Sequence, residues 1–114
     1  MEHTMKLAPE SFKNMQNGRK MIEYRLNDEK RQELKVGDII IFKNLDNLKE
    51  QISMKITKLL EFNSFQEAFI NLIKEPNNDL TDNIEQDVID MYQYYTKEDE
   101  IKYGCLAILL KFKK

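Results

Sequence analysis

Apolar and polar residues alternate along several short stretches of the chain, which is the pattern of half-buried β-strands. In KMIEYRL, three apolar residues at alternate positions share one face, whereas Glu23 and Arg25 share the other. HTMKLA and ISMKITKLLEF alternate in the same way, and the even positions of the second predict one long apolar face. IIIF and CLAILLKF are continuous apolar runs, which predict strands covered on both faces.

Helical stretches separate these strands. Pro9 begins the first helix and Gly18 ends it. Ser64 and Glu67 form a capping box for a second helix, which ends before Pro76. The remaining predicted segments are a short charged helix over residues 29–35, a polar loop over residues 44–50, a helix opened by Asp82 and Glu85, and a helical turn between Thr96 and Gly104.

The predicted order is strand, helix, strand, helix, two strands, two helices and a final strand. Strands and helices that do not alternate regularly argue against a parallel α/β sheet. We therefore predict an α+β protein with a mixed or antiparallel sheet that curls into a small barrel. The 114 residues suit one domain covering residues 1–114, because no linker or repeat divides the chain.

The charge balance of the chain limits the kinds of binding partner that the protein can have. The net charge is −2, from 18 basic and 20 acidic residues, which excludes a uniformly basic nucleic-acid coat. Residues 1–60 hold 12 basic and 9 acidic side chains, whereas residues 61–114 hold 6 and 11. Any anion-binding surface is therefore expected from the first half. The acid-rich stretch from Asp79 to Glu100 is expected to form a solvated face elsewhere.

The inventory of reactive residues excludes several kinds of site. His3 is the only histidine and Cys105 the only cysteine, so neither a catalytic triad nor a zinc site is expected. His3 is interpreted as a strand-end side chain, and Cys105 as a buried, inert thiol. No apolar run approaches the ~20 residues of a membrane span. We predict a cytoplasmic protein with no metal, no cofactor and no membrane partner.

The most distinctive polar cluster is GRKMIEYR, at residues 18–25. Its cations can hold a phosphate, and Glu23 can accept a hydrogen bond from the exocyclic amine of a base. Strand parity places Glu23 and Arg25 on one face, but Lys20 joins them only if the turn or a bulge re-aims it. The alternative is an ordinary solvated strand face with a weak Glu–Arg pair.

Four tyrosines near the C-terminus offer flat rings on which unstacked bases can stack. Tyr92 and Tyr95 lie on the apolar stripe of a predicted helix, so we expect them to pack in the core. Tyr94 and Tyr103 are freer to meet a ligand.

With these segments in order, the chain resembles the small single-domain ASCH proteins of the PUA-like superfamily, nearly from end to end. The resemblance is carried by G-x-K-x-x-E-x-R, by VGD-x-I-x-F and by E-x-x-YG-x-L-x-I near the end. It implies a small β-barrel flanked by helices, with a cleft beside the barrel that binds RNA or nucleotides. The family pattern implies that the cleft is lined by Lys20, Glu23 and Arg25, with Asn44 after the VGD strand and Tyr103 near the rim.

The chain is also similar to an enzyme branch of this family, amidohydrolases that remove the acetyl group from N4-acetylcytidine. Their pattern has a Lys, a Thr three residues later and a Glu further along. Lys20 matches the Lys, but Glu23 occupies the Thr position, and a carboxylate does not simply replace a hydroxyl nucleophile. The third position stays open between Glu75, Asp79 and Glu85.

The sequence therefore predicts a module that binds RNA or a nucleotide-like ligand in a cleft lined by Lys20, Glu23 and Arg25. Lys20 is assigned to phosphate, Glu23 to the base edge, and Arg25 to phosphate or to positioning Glu23. One alternative is an amidohydrolase acting on an N4-acylated cytidine nucleoside, with Lys20 and Glu23 as the acid/base pair. The other is a protein-interaction module that meets a basic partner. The oligomeric state stays open.

Overall fold

The structure is a computed structural model that describes residues 1–113. Its strands are β1 (Glu2–Leu7), β2 (Ile22–Leu26), β3 (Ile39–Asn44), β4 (Asn47–Phe62) and β5 (Cys105–Phe112). Its helices are α1 (Pro9–Gln16), α2 (Phe65–Leu72), α3 (Ile84–Met91) and α4 (Lys97–Tyr103). None of these helices, within residues 1–113, combines the length and the apolar composition needed to cross a membrane.

The strands form one mixed sheet in the order β1-β3-β4-β5-β2. β1 is parallel to β3, and the other neighbours are antiparallel. The sheet curls into a half-barrel with the four helices around it, which confirms the predicted α+β fold. The edge strands β1 and β2 do not pair, but the Arg25 guanidinium donates across the gap to the Lys6 carbonyl oxygen, at 2.8 Å. We call this gap between the two edge strands the seam.

Apolar clusters cover both faces of the sheet. The inner cluster contains Met5, Leu7, Phe12, Met15, Leu34, Ile40, Phe42, Met54, Ile56, Leu106, Ile108 and Leu110. The outer cluster, under α2, contains Ile22, Tyr24, Leu26, Phe65, Ala68, Phe69, Leu72, Cys105 and Ala107. β5 contributes to both clusters, so its predicted burial on both faces is confirmed. For β3 the prediction was wrong, because Ile39 and Ile41 on its second face are only half-buried.

The long strand β4 does not keep one apolar face. Its register with β5 shifts between Ile56 and Lys58, and such a bulge reverses which side chains point to each face. Ile56 therefore lies in the inner cluster, whereas Leu60 and Phe62 pack against the outer one. The predicted single face over the even positions was wrong, since strict alternation takes no account of an inserted residue.

Three local predictions were also wrong. Residues 47–50 belong to β4 rather than to a loop, and they read as polar because this end of the strand is exposed. The charged helix is only a short 3₁₀ turn, Arg31–Glu33, because it has little apolar surface beyond Leu34 to bury. The N-cap of α3 is Asn83, whose side chain accepts from the N–H of Gln86.

The other predicted helix ends are confirmed. Ser64 Oγ accepts from the Glu67 N–H at 3.0 Å, and Thr96 Oγ1 accepts from the Asp99 N–H at 3.1 Å. Gly104 ends α4 with φ +72°, and a Cβ there would lie 2.5 Å from the Phe62 carbonyl oxygen. Only glycine therefore fits this turn from α4 into β5.

Candidate functional site

A cavity of about 310 Å³ opens at the seam. It lies at the small end of the range of ~300–1,000 Å³ that is usual for small-molecule sites. Side chains from β1, β2, the α2–α3 loop and α3 line it, and its charged lining includes Lys20, Glu23, Arg25 and Asp79. We call it the seam cavity.

The turn after α1 brings Lys20 into this cavity. Gly18 has φ +83°, which lets the chain reverse so that the N–H groups of Arg19 and Lys20 both donate to the Asn14 carbonyl oxygen. Lys20 therefore precedes β2 and does not follow its alternation. Its Nζ lies 3.0 Å from Glu23 Oε1, so the turn, and not a bulge, joins Lys20 to Glu23.

Four charged side chains form a continuous chain of alternating sign. Arg25 Nε donates to Glu23 Oε2 at 2.7 Å, Lys20 Nζ contacts Glu23 Oε1 at 3.0 Å, and Lys20 Nζ contacts Asp79 Oδ1 at 3.4 Å. We call this set the charge chain. Lys20 also donates to the Ile22 carbonyl oxygen at 3.0 Å, so all three of its N–H donors are engaged.

Both central members of the charge chain are ionised at neutral pH. Burial alone would lower the pKa of Lys20, but the carboxylates of Glu23 and Asp79 outweigh it and raise that pKa above its ordinary value. Burial alone would raise the pKa of Glu23, but Lys20 and Arg25 outweigh it and lower that pKa. Lys20 is therefore a cation held by its neighbours rather than a free base, and Glu23 is an ionised carboxylate that accepts hydrogen bonds.

The α2–α3 loop docks on β2 and delivers Asp79. The Asn77 carbonyl oxygen accepts from the Met21 N–H at 2.8 Å, and Asn78 Oδ1 accepts from the Tyr24 hydroxyl at 3.2 Å. Of the three acids left open by the sequence, Asp79 is the one that lines the seam cavity. The sequence marked this segment only as a helix breaker, because its position depends on contacts with a strand more than fifty residues away.

Two tyrosines after α3 border the same cavity. Tyr95 is half-buried, lines the cavity with Arg25 and stacks on Phe65 with ring centroids 5.6 Å apart. Tyr92 and Tyr95 both pack against the outer cluster but are only half-buried, so their predicted place in the core is confirmed in part. Tyr94 is 70% exposed at the edge of the cavity, so its ring is free to meet a ligand.

The acid-rich second half does not face away from this site, and that expectation was wrong. α3 packs its apolar side against the outer cluster and against α2. Its Asp87 and Asp90 therefore line the seam cavity beside Asp79. With Glu23 they make four carboxylates against three cations in the lining, which gives a net charge of −1. A lining with this net negative charge does not favour the binding of a phosphate in the cavity.

Comparison with known proteins adds the family. The chain matches the ASCH domain over residues 5–113. It belongs to the ASCH domain family. The hypothetical protein PH0355 is 33% identical, with a TM-score of 0.86 over 99% of this chain and 100% of that chain. Protein PF0455 from Pyrococcus furiosus is 30% identical, with a TM-score of 0.78 over 100% of this chain and 99% of that chain.

A more distant solved structure, ASCH from Zymomonas mobilis, shares the fold alone. It is 17% identical, with a TM-score of 0.67 over 96% of this chain and 66% of that chain. No curated protein matches the chain. The ASCH family and its PUA-like fold are compatible with RNA binding.

In this ASCH chain, Asn44 and Tyr103 do not join the other predicted site residues. The Asn44 amide donates to Glu50 at 3.1 Å and its oxygen accepts from the Asp46 N–H, so it braces the β3–β4 turn. The Tyr103 hydroxyl donates to Glu29 at 3.3 Å. Neither residue lines the seam cavity, because the first is held in a turn and the second ends α4, away from the seam.

The remaining reactive groups of the ASCH chain lie outside the cavity. His3 Nε2 lies 2.8 Å from Asp38 Oδ2 near the start of β1, and it does not line the cavity. Burial raises the pKa of the Cys105 thiol, which makes it inert at neutral pH. Within residues 1–113, no group of three His, Cys, Asp or Glu side chains is placed to hold a metal ion.

Proposed function

We propose that this ASCH protein binds one unstacked nucleotide, free or within RNA, and holds its base in the seam cavity. The observation that carries the proposal is the buried, ionised Glu23 carboxylate, which is fixed between Lys20 and Arg25 in the lining of an open cavity. Such a carboxylate accepts hydrogen bonds from the amine of a base. The chain is proposed to act as one domain in the cytoplasm.

The charge of the lining favours the base over the phosphate as the group that enters. Lys20 has no N–H left for a phosphate, since Glu23, Asp79 and the Ile22 carbonyl oxygen engage all three. We therefore assign Lys20 and Arg25 to the positioning of Glu23, and no longer assign Lys20 to phosphate. The excess of carboxylates in the lining repels a polyanion and attracts the amines of a base.

The edge of the cavity suits the rest of a nucleotide. The exposed ring of Tyr94 offers a surface for base stacking. Lys6 is exposed at the seam and pairs in register with Lys43, so both side chains lie on one face of the sheet. We propose that these two lysines contact the phosphate outside the cavity, where solvent reduces the repulsion from the acidic lining.

A titration of labelled single-stranded RNA, followed by fluorescence anisotropy, tests the proposal. Stacking of a base on an aromatic ring contributes ~1–3 kcal/mol, so Tyr94→Ala should weaken binding about tenfold or more. Tyr94→Phe keeps the ring and should bind like wild type. Ile89→Ala removes another exposed apolar side chain, which does not line the cavity, and is the matched control. The proposal fails if no binding occurs, or if Tyr94→Ala binds as tightly as Tyr94→Phe.

A second candidate function rests on one observation, the position of Lys20 between two carboxylates that line the cavity. In an amidohydrolase acting on an N4-acylated cytidine, Glu23 or Asp79 would take a proton from water, whose oxygen attacks the acyl carbon. The C–N bond then breaks while Lys20 protonates the leaving amine. Incubation with N4-acetylcytidine should release cytidine and acetate, and Asp79→Asn should slow the release. Absence of cytidine at high protein concentration rules this candidate out.

A further inference from the structure

β2 is an edge strand, and Glu23, Tyr24 and Arg25 of this strand line the seam cavity. A ligand-binding role for the main-chain groups at its free edge rests on the proposed function. β2 is the last strand of the sheet, and β5 is its strand partner. The Leu110 N–H donates to the Met21 carbonyl oxygen at 2.9 Å, and the Asn27 N–H donates to the Gly104 carbonyl oxygen at 3.1 Å. The main-chain groups of Glu23 and Arg25, the odd-numbered residues of β2, therefore face β5.

In an antiparallel pair, successive residues turn their N–H and C=O groups alternately toward the partner strand and away from it. The N–H and C=O of Tyr24 therefore point to the free edge. The Ile22 carbonyl oxygen checks this assignment, since it accepts from Lys20 Nζ on that side. Within residues 1–113 no strand pairs with this edge, and Tyr24 is only 6% exposed while it lines the cavity.

Buried main-chain groups need hydrogen-bond partners, and Tyr24 offers a donor next to an acceptor. The Watson–Crick edge of cytosine or adenine carries the complementary pair, a ring nitrogen that accepts and an exocyclic amine that donates. The amine also has a second hydrogen. The carboxylates of Glu23 and Asp79 line the same cavity and can accept a hydrogen bond from it.

We infer that the Tyr24 main chain reads the Watson–Crick edge of a base that bears an exocyclic amine, with the second amine hydrogen on the acidic lining. Because this edge is occupied in a duplex, the site accepts only an unpaired nucleotide. The ligand class is therefore a cytidine or adenosine nucleotide, free or in single-stranded RNA.

Matched methylated nucleotides test the inference by isothermal titration calorimetry. The probes are cytidine 5′-monophosphate, its 5-methyl analogue and its N4,N4-dimethyl analogue. The 5-methyl group lies off the Watson–Crick edge, so this analogue should bind within about threefold of the parent. Dimethylation removes both amine hydrogens and should weaken binding about tenfold or more. Equal affinity of the dimethyl analogue and the parent, or an equal loss with both methylated analogues, overturns the inference.

Amide NMR separates this inference from the proposed function. On saturation with cytidine 5′-monophosphate, the Tyr24 amide proton should shift downfield and exchange more slowly with solvent. The Arg25 amide, which faces β5, should change much less. Binding that leaves the Tyr24 amide unchanged overturns the inference and leaves the proposed function standing. If none of the three nucleotides binds, the proposed function fails and the inference fails with it.

Discussion

Two glutamates in this protein are equally buried, and their surroundings differ completely. Glu23 and Glu100 are each 6% exposed. Glu100 accepts from the Phe65 N–H at 2.8 Å and from the Tyr92 hydroxyl at 2.6 Å, so it ties the first turn of α2 to α4 and to the end of α3. Its hydrogen bond raises the pKa of Tyr92 to about 12. Glu23 instead lies between two cations and faces an open cavity.

The comparison of Glu23 with Glu100 shows which of these two buried carboxylates the fold requires. Without Glu100, a buried N–H at the start of α2 would lose its acceptor, so the fold accounts for this residue. The charge chain around Glu23 links β2 to β1 through Arg25 and the Lys6 carbonyl oxygen, and Lys20 contacts Asp79 of the α2–α3 loop. Replacing such buried ion pairs by apolar residues is often neutral or stabilising. We therefore regard the charge chain as kept for a ligand rather than for stability.

The most severe test of this contrast removes Glu23 alone and then the whole group. Glu23→Ala leaves Lys20 and Arg25 buried without their shared carboxylate, and it should lower the free energy of unfolding by about 3–5 kcal/mol. The triple variant Lys20→Met, Glu23→Leu, Arg25→Met should regain most of that loss. Urea unfolding at pH 7 measures both. A triple variant as unstable as Glu23→Ala would show that the fold itself requires the charges.

The next effect concerns the other glutamate. Glu100→Ala should lower the free energy of unfolding by about 1–3 kcal/mol, because the Phe65 N–H and the Tyr92 hydroxyl both lose their acceptor. Glu98→Ala, on the exposed side of the same helix, is the matched control and should stay within about 0.5 kcal/mol of wild type. Equal stability of the two variants would show that the hydrogen bonds of Glu100 do not stabilise the fold.

A smaller effect is the response of stability to acid. The pKa of Glu23 is lower in the folded chain than its ordinary value of 4.5, so the unfolded chain takes up the proton first as the pH falls. The stability due to Glu23 is thus present above this value and is lost as the pH falls below it. Urea midpoints between pH 7 and pH 3 should fall more steeply for wild type than for the triple variant. Parallel curves would contradict the ionised state of Glu23.

The smallest predicted effect lies outside the cavity. Lys6→Ala should reduce the dependence of log affinity for single-stranded RNA on log salt concentration by about 0.7, the value for one phosphate contact. Lys111→Ala removes an exposed lysine on β5 and should leave the slope unchanged. If both variants changed the slope equally, Lys6 would contribute only to the overall charge of the protein and would not contact a phosphate.

Features of the fold and the site that depend on residues close together in the sequence were predictable. Features that depend on distant residues were not. Alternation in β2 predicted that Glu23 and Arg25 share a face, and Gly18 marked the turn that brings Lys20 to them. These features depend on neighbouring residues. The cap residues Ser64 and Thr96 were predicted for the same reason.

Features that depend on docking between distant segments were not predictable. Asp79 reaches Lys20 only because its loop bonds to β2, and α3 brings Asp90 to the cavity only because it packs against α2 and the outer cluster. The face reversal in β4 follows from its pairing with β5 and leaves no mark in the alternation. Asn44 and Tyr103 occur in motifs close to the site, but their own hydrogen bonds hold them in other places.

The charge chain, on this view, serves a nucleotide in the seam cavity. The decisive measurement is calorimetric titration of cytidine 5′-monophosphate into wild type and into the triple variant, with folding of both checked by circular dichroism. We predict one saturable site in wild type and at least about 30-fold weaker binding in a folded triple variant, the loss typical of a binding hot spot. Equal affinity in the two proteins would contradict a ligand-binding role for the charge chain.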